Sequence, residues 1–595
     1  MGEGRTQADT IRIKAAVLLL LTALCVSGLQ GIYGFSLFPD EFGYWSAAAA
    51  FLKLPWSGTT SSISYYAFGY GLILTPILAL FRDSVAAYRA AIWCNLCLHV
   101  GAYFLLCSIA KRLCHGTSER RRTFFAGIAL LYPAWVFYTQ TTMAEGPVFF
   151  LYILCTYLVL RYLESPRISR LIVLTIALWM LCCVHNRTIG IVLSAAVIAI
   201  AHSTLGLHGK RLTTHLLLFL ALSATLIAAW YYLRDVQLKT VYADTPQAKI
   251  AINSLAGQRG KLRQLLSAKG LGNLVLNLTG KLLYLGCAGF GITYIGFYEL
   301  LHRSVAGVRR LKTDGRIAAT DLTAAFLFLS TLTQLMLQGV AQLHTAGREA
   351  HRLDLYLGGR YVDFLIPMLL LTGLYHLAVR ENMLRKFLIA AGFMGIQAMI
   401  ACIVMAVNDN GMDDPHAMLM VGMSWLLEGE GIQSLLFPVR TALLSILFGA
   451  MILATLMLLI RKGVRAAIIA PLLLQIVLSV IAHDRLIMAG QRYIFGDIKM
   501  ADHLQGVTAV RDGRIVDLFE GGNLYASILQ FRLRTKPLTV LEVEETLPAE
   551  DLRTGDYVLV DSGSKLRTEL AEQYNTVVTM GHFDLYYNKE LTGKN

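Results

Sequence analysis

Apolar residues in this chain gather into long, nearly unbroken runs separated by short polar links. Thirteen runs, near 15–37, 86–110, 122–139, 146–163, 170–185, 188–202, 214–233, 281–300, 318–341, 361–379, 387–408, 435–460 and 466–482, predict membrane-spanning helices. A helix of about 20 apolar residues reaches across a bilayer core. The basic residues between the runs orient them, because cytoplasmic links are enriched in Lys and Arg. With Arg5, Arg12 and Lys14 inside, alternation also puts Lys111–Arg122, Arg161–Arg170, Lys210–Arg211, Arg303–Arg316, Arg380–Lys386 and Arg461–Arg465 inside. These inside segments hold 24 Lys and Arg against about six acids, and the outside loops around Glu145 and Asn410 hold no Lys or Arg. The N-terminus is therefore expected in the cytoplasm of a multi-pass cell-membrane protein. The first run lacks a small-residue cleavage site and reads as a retained anchor.

One apolar run does not fit this alternation as a span. Tyr66–Phe81 is about 16 residues long, contains Pro76 and has glycines at 69 and 71. Counting it would move the basic segment 111–122 outside, so it is expected to lie in the interface within a long first outer loop, 38–85. Outer loops are also expected at 234–280, Gly-punctuated and amphipathic like a lid, and at 342–360. After about 483 the pattern shortens. RIVDLF, PLTVLEVEE, DYVLVDSG and HFDLYYN read as strands, and YASILQFRL and SKLRTELAEQY as helices. The fold class that follows is a polytopic α-helical membrane protein of about 13 transmembrane helices, residues 1–482. A small extracytoplasmic α/β domain, 483–595, completes it.

Composition agrees. The 595 residues are 56% hydrophobic and 15% charged, against about 45–50% and about 25% in soluble domains. The net charge of +14 lies in clusters between the runs, so it is topological and gives no support to nucleic-acid binding. All ten cysteines lie in or beside apolar runs, and the lone Cys94–Cys97 pair reads as packing.

Candidate chemistry collects on the expected outer face. Asp40 and Glu41 follow the first run inside an aromatic collar of Phe38, Phe42, Tyr44 and Trp45. Partial desolvation there would raise a carboxylate pKa toward general-base work, and Asp40 is the first choice of the two. Glu145 lies in a short loop on the same face, and two readings stay open for it. It is a helix-capping anion, or a second acid that orients an acceptor or holds a divalent cation. The 342–360 loop carries His344, Arg348, His351, Arg352 and Arg360, and Arg187 lies in the VHNRTIG turn. Forked guanidinium groups suit a phosphate. Contact with anionic headgroups explains them equally well. The acids Asp409, Asp413, Asp414, Glu428 and Glu430 leave a divalent cation (Mg, Mn or Ca) open as a cofactor. Neither a Walker A motif nor a Rossmann glycine fingerprint is present, so a nucleotide donor has no support.

FPDEFGYW after the first span, TTMAEGPVFF opening the fourth, HNRTIGIVL opening the sixth and GGRYVDFLIP opening the tenth resemble the GT-C superfamily of membrane glycosyltransferases. In layout the chain is most similar to protein O-mannosyltransferases and the aminoarabinose transferases of lipid A. The resemblance implies an inverting hexosyl- or pentosyltransferase that takes its sugar from a polyprenyl phosphate. The acceptor would be a hydroxyl on a lipid, glycan or protein. Asp40 would match the family's catalytic acid and Glu145 the acid of its second outer loop. Where aminoarabinose transferases carry Arg after the acidic pair and a Lys-Pro-Pro before the interfacial helix, this chain has Gly43 and SYYAFGYG. The donor phosphate is therefore assigned to Arg187, Arg348, His351, Arg352, Arg360 and Tyr361. No WWD-type signature supports an oligosaccharyltransferase. The competing class is a transporter or flippase of a lipid-linked saccharide. Such proteins carry broken or ionisable mid-span helices in two related halves, and no such symmetry is visible.

Overall fold

A computed structural model describes residues 2–35, 38–204, 211–252, 259–315, 317–343, 353–379, 382–407, 417–423, 425, 435–462, 469–520, 523–543, 547–548 and 550–587. Helices dominate. Among the described residues, nine are long and apolar enough to cross a membrane, or ten with one bent pair counted as a single span. Gly69–Leu80, Ile168–Val184 and Asp363–Val379 are shorter apolar helices. The chain is a multi-pass membrane protein in architecture.

The outward faces fit a lipid solvent. Along Met383–Val407, Leu388, Ile389, Ile396, Ile403 and Val407 are exposed, while Ala390, Met394, Ala398 and Ala401 turn inward. Small inward residues let helices approach closely where apolar burial alone cannot drive association.

Three runs are broken or extended relative to their sequence pattern. The 122–139 run forms two helices, Glu119–Leu130 and Pro133–Thr139, because Pro133 starts a new first turn and cannot continue the old one. The 281–300 run is cut into Ala268–Ala288 and Ile292–Asp314, bent by 109°. Phe290 and Gly291 take left-handed φ values of 55° and 77° there, which no α-helix tolerates. The last run does not stop at 482. It continues through a π-helical turn, His483–Met488, into Ala489–Val510, so the expected domain boundary falls inside a helix.

The upper part of that helix joins the C-terminal unit, where Met500, Ala501 and Leu504 enter the core of a five-stranded sheet. The strands are β1 (Ile515–Phe519), β2 (Leu538–Glu542), β3 (Tyr557–Asp561), β4 (Thr576–Met580) and β5 (Phe583–Tyr587), in the order β2-β1-β3-β5-β4. Strand β1 pairs in parallel with β2 and β3, whereas β3–β5 and β4–β5 are antiparallel. Four strands lie in the segments read as strands. TVVTM, which forms β4, was not among those read from the sequence.

Inside the 38–85 segment, the 66–81 run forms the helix Gly69–Leu80, and a helix not anticipated there, Asp40–Phe51, begins at the acidic pair. Two anions in a first turn complement the helix dipole. Residues 41–50 of this helix are buried. It lies against Gly69–Leu80 through Gly71, where a Cβ would come within 2.5 Å of the Ala47 Cβ. From the other side, Phe531 of the C-terminal unit packs at a tilt against Phe35 and Trp45 and edge-on against Tyr88, at ring distances of 4.6, 5.0 and 6.4 Å.

Candidate active site

Four separated segments meet around one cavity of about 230 Å³. They are the start of the Asp40–Phe51 helix, residues 64–67, the turn after Ile168–Val184, and Arg360 with Tyr361. At its centre the Arg360 guanidinium is shared by two carboxylates. Nη1 donates to Asp40 Oδ2 at 2.7 Å and Nε to Glu145 Oε1 at 2.5 Å. Tyr66 donates its hydroxyl to Asp40 Oδ1 at 2.6 Å, so both oxygens of Asp40 are oriented. Glu145 Oε2 is buried with no hydrogen-bond partner among the described residues.

Arg360 is buried, and the attraction of Glu145 and Asp40 holds its charge against the desolvation that opposes it. Its guanidinium carbon lies 5.1 Å from the Phe38 ring centre and 5.3 Å from that of Tyr361. Arg187 covers the same Tyr361 ring at 3.9 Å. Among the described residues no carboxylate pairs with Arg187, which leaves its fork available to an anion. His185 packs edge-on against Tyr361 at 5.6 Å, and burial with the Arg187 and Arg360 charges pushes its pKa well below 6.5. It is a neutral ring at working pH.

Glu41 has a different setting from its neighbour. Its Oε2 accepts from Tyr88 Oη at 2.6 Å, Thr142 N at 2.7 Å and Thr142 Oγ1 at 2.6 Å. The group is buried and does not line the cavity. Desolvation pushes its pKa up to about 7 against the three donors. Glu41 thus ties the start of its helix to the Thr139–Glu145 turn and carries Asp40 into place beside it.

The backbone at Arg360 is set by close approaches. Lys281, itself buried, donates to the Leu355 carbonyl and to the Gly358 carbonyl at 2.8 Å. At Gly359 a Cβ would fall 1.7 Å from the Tyr284 ring, so only glycine lets the chain pass. Three residues past Arg360, Asp363 accepts from Tyr132 and Tyr284, each at 2.7 Å. Gly43 has a similar reason. A Cβ there would meet the Tyr66 ring at 2.0 Å, so glycine at this position makes room for the tyrosine that holds Asp40.

Of the residues singled out in the sequence, Asp40, Glu145, Arg187, Arg360 and Tyr361 come together here. Glu41 sits behind them. Arg348, His351 and Arg352 lie outside the described residues. Tyr66, His185 and Asp363 were not singled out; only the SYYAFGYG departure at 64–71 flagged the first of them. Among the described residues no three His, Cys, Asp or Glu side chains are arranged to hold a metal ion, and the acids of 409–434 lie outside those residues.

No protein-family model matches the chain, and no curated protein sequence does. Solved structures do. ArnT from Cupriavidus metallidurans in the apo state matches over 98% of both chains, with a TM-score of 0.50 and 11% identity. The same protein bound to undecaprenyl phosphate matches over 97% of both, with a TM-score of 0.51 and 12% identity. The fold is GT-C. The match includes the C-terminal unit, and at this identity it concerns the path of the chain. That path brings the start of the Asp40–Phe51 helix, the Glu145 turn and the Arg360 segment together at one cavity. What the cavity does rests on the side chains just described.

Proposed function

We propose that this chain is a GT-C glycosyltransferase. In this reading it moves a sugar from a polyprenyl-phosphate donor to an acceptor hydroxyl on the extracytoplasmic face. The observation that carries the reading is one small cavity walled by an oriented carboxylate, Asp40, and an arginine without a carboxylate partner among the described residues, Arg187. A cavity of about 230 Å³ is below the ~300–1,000 Å³ of a drug-sized site. It suits a single sugar and its phosphate, with the lipid tail outside.

Asp40 takes the proton of the acceptor hydroxyl as that oxygen attacks the anomeric carbon. The bond from the anomeric carbon to the phosphate oxygen breaks on the opposite side, and the polyprenyl phosphate leaves as an anion with inversion at carbon. Arg187, with Arg348, His351 and Arg352, is assigned to the phosphate, where negative charge grows in the transition state. Arg360 has a different task from the one its loop suggested, because two of its nitrogens are engaged by carboxylates. It neutralises the mutual repulsion of Asp40 and Glu145 and fixes the base in the wall. A divalent cation between the two acids would have to displace it.

The test is incubation of the purified full chain with a panel of polyprenyl-phosphate sugars and mixed lipid, glycan and peptide acceptors, scoring released polyprenyl phosphate. Release with at least one donor is expected. A chain that binds these lipids and releases phosphate from none of them is not a transferase of this kind.

A further inference from the structure

A second recess of about 610 Å³ opens where the Gly69–Leu80 helix ends against the C-terminal unit. Leu54, Arg82, Asp83, Gln505, Arg532 and Arg534 are in its wall. Ala67 lines the Asp40 cavity and Ala79 this recess, so the two lie at opposite ends of a 12-residue helix, about 18 Å apart along its axis.

The charges here are unbalanced. Arg532 is satisfied, with Nη1 on Asp83 at 2.6 Å and Nε on Asp502 at 2.7 Å. Among the described residues Arg534 donates to backbone carbonyls, those of Leu78, Phe81 and Arg82, the last at 3.0 Å. It closes the end of the Gly69–Leu80 helix and brings its charge beside Arg82. Among the described residues no carboxylate pairs with Arg82 or Arg534. Burial and the neighbouring Arg82 push the Arg534 pKa below its usual value, as expected for like charges gathered without a counter-ion. Directly beside the pair, Leu80 and Phe81 are exposed. Two guanidinium groups without a described carboxylate partner, next to outward apolar side chains, match a headgroup and the start of its acyl chains.

We propose that this recess binds the phosphate of an anionic phospholipid headgroup, with Arg82 and Arg534 as its ligands and Leu80 and Phe81 against the chains. The site needs no particular reaction at Asp40. It gives the bilayer a hold on the helix whose other end carries the wall of the Asp40 cavity.

The test uses the full chain in nanodiscs of mixed phosphatidylglycerol and phosphatidylcholine, with retained lipid counted by native mass spectrometry. The wild type is expected to keep phosphatidylglycerol over phosphatidylcholine, and saturating inorganic phosphate should not displace it. Arg82→Gln, which removes no internal ion pair, should weaken that retention about fivefold, the loss of one interfacial charge. Arg534→Gln should weaken it as much, and the apparent Tm will tell whether its helix end has frayed. Equal retention of phosphatidylglycerol by wild type and Arg82→Gln, equal retention of the two lipids, or displacement by inorganic phosphate would each overturn the assignment.

Discussion

Asp40 and Glu41 are adjacent in sequence, yet they face opposite environments. A helix turns successive side chains by about 100°, so one carboxylate reaches the cavity and the other the buried Tyr88 and Thr142. Burial raises Glu41 from 4.5 to about 7. Between those values the folded chain keeps a proton that the unfolded chain has released, so stability is full below about 4.5 and falls as pH rises toward 7. The window is worth up to ~3 kcal/mol. Glu41→Gln should flatten the fall of apparent Tm between about pH 5 and pH 7; an unchanged slope would show that Glu41 titrates as if exposed. Arg360→Ala should be harsher, because it leaves the buried Glu145 and the half-buried Asp40 without their shared cation, destabilising by about 3–5 kcal/mol. Arg360→Lys should not restore turnover, since a point charge cannot span both carboxylates as a fork does. With the guanidinium in place, chelating agents should leave turnover unchanged. A wild-type enzyme silenced by chelation and revived by Mg or Mn would assign Arg360 a different role. The pair, Glu145 and the arginines could be picked out in the sequence by their unusual placement beside apolar runs. Tyr66 could not, because nothing local in SYYAFGYG marks which of its aromatic rings reaches back to the helix start.

Among the elements, the long uniform runs were the most legible. The 86–110 run is the core of Ser84–Leu113, and 318–341 closely matches Ala319–Ala341. Runs that fail do so where a few residues override composition, at Pro133 and at Phe290–Gly291. The Asp40–Phe51 helix escaped notice because its Ala-rich stretch is only 12 residues long and shows no polar face, being buried nearly all round. Its seat depends on glycines. Gly71→Val should wedge it from Gly69–Leu80, and Gly359→Ala should push Arg360 off its acids, each destabilising by about 1–3 kcal/mol as overpacked sites do. Thermal shift and turnover of the two variants check this. A Gly359→Ala protein with wild-type activity would mean that Tyr284 moves aside at no consequence to the site.

At the scale of the whole molecule, the C-terminal unit is a support of the site. Trp56 donates Nε1 to the Arg534 carbonyl at 2.6 Å, Thr59 Oγ1 donates to Gln530 Oε1 at 3.2 Å, and Phe531 fills the aromatic cluster behind Trp45. Phe531→Ala should therefore cost about 3–5 kcal/mol and lower turnover although it lies outside the cavity. The composition change near 483 made the small α/β unit visible in the sequence. Its grip on the Asp40–Phe51 helix was not visible, because contacts between residues some 480 positions apart leave no local pattern.

Asp40 is proposed as the base of a sugar transfer from a polyprenyl phosphate. The most direct test of this role measures donor binding and polyprenyl-phosphate release by wild type and Asp40→Asn side by side, with the donor identified in the panel. Asp40→Asn is expected to bind the donor within a few-fold of wild type and to release phosphate at less than about 1% of its rate, as follows from loss of a general base. Release by Asp40→Asn at a rate near that of wild type would contradict it.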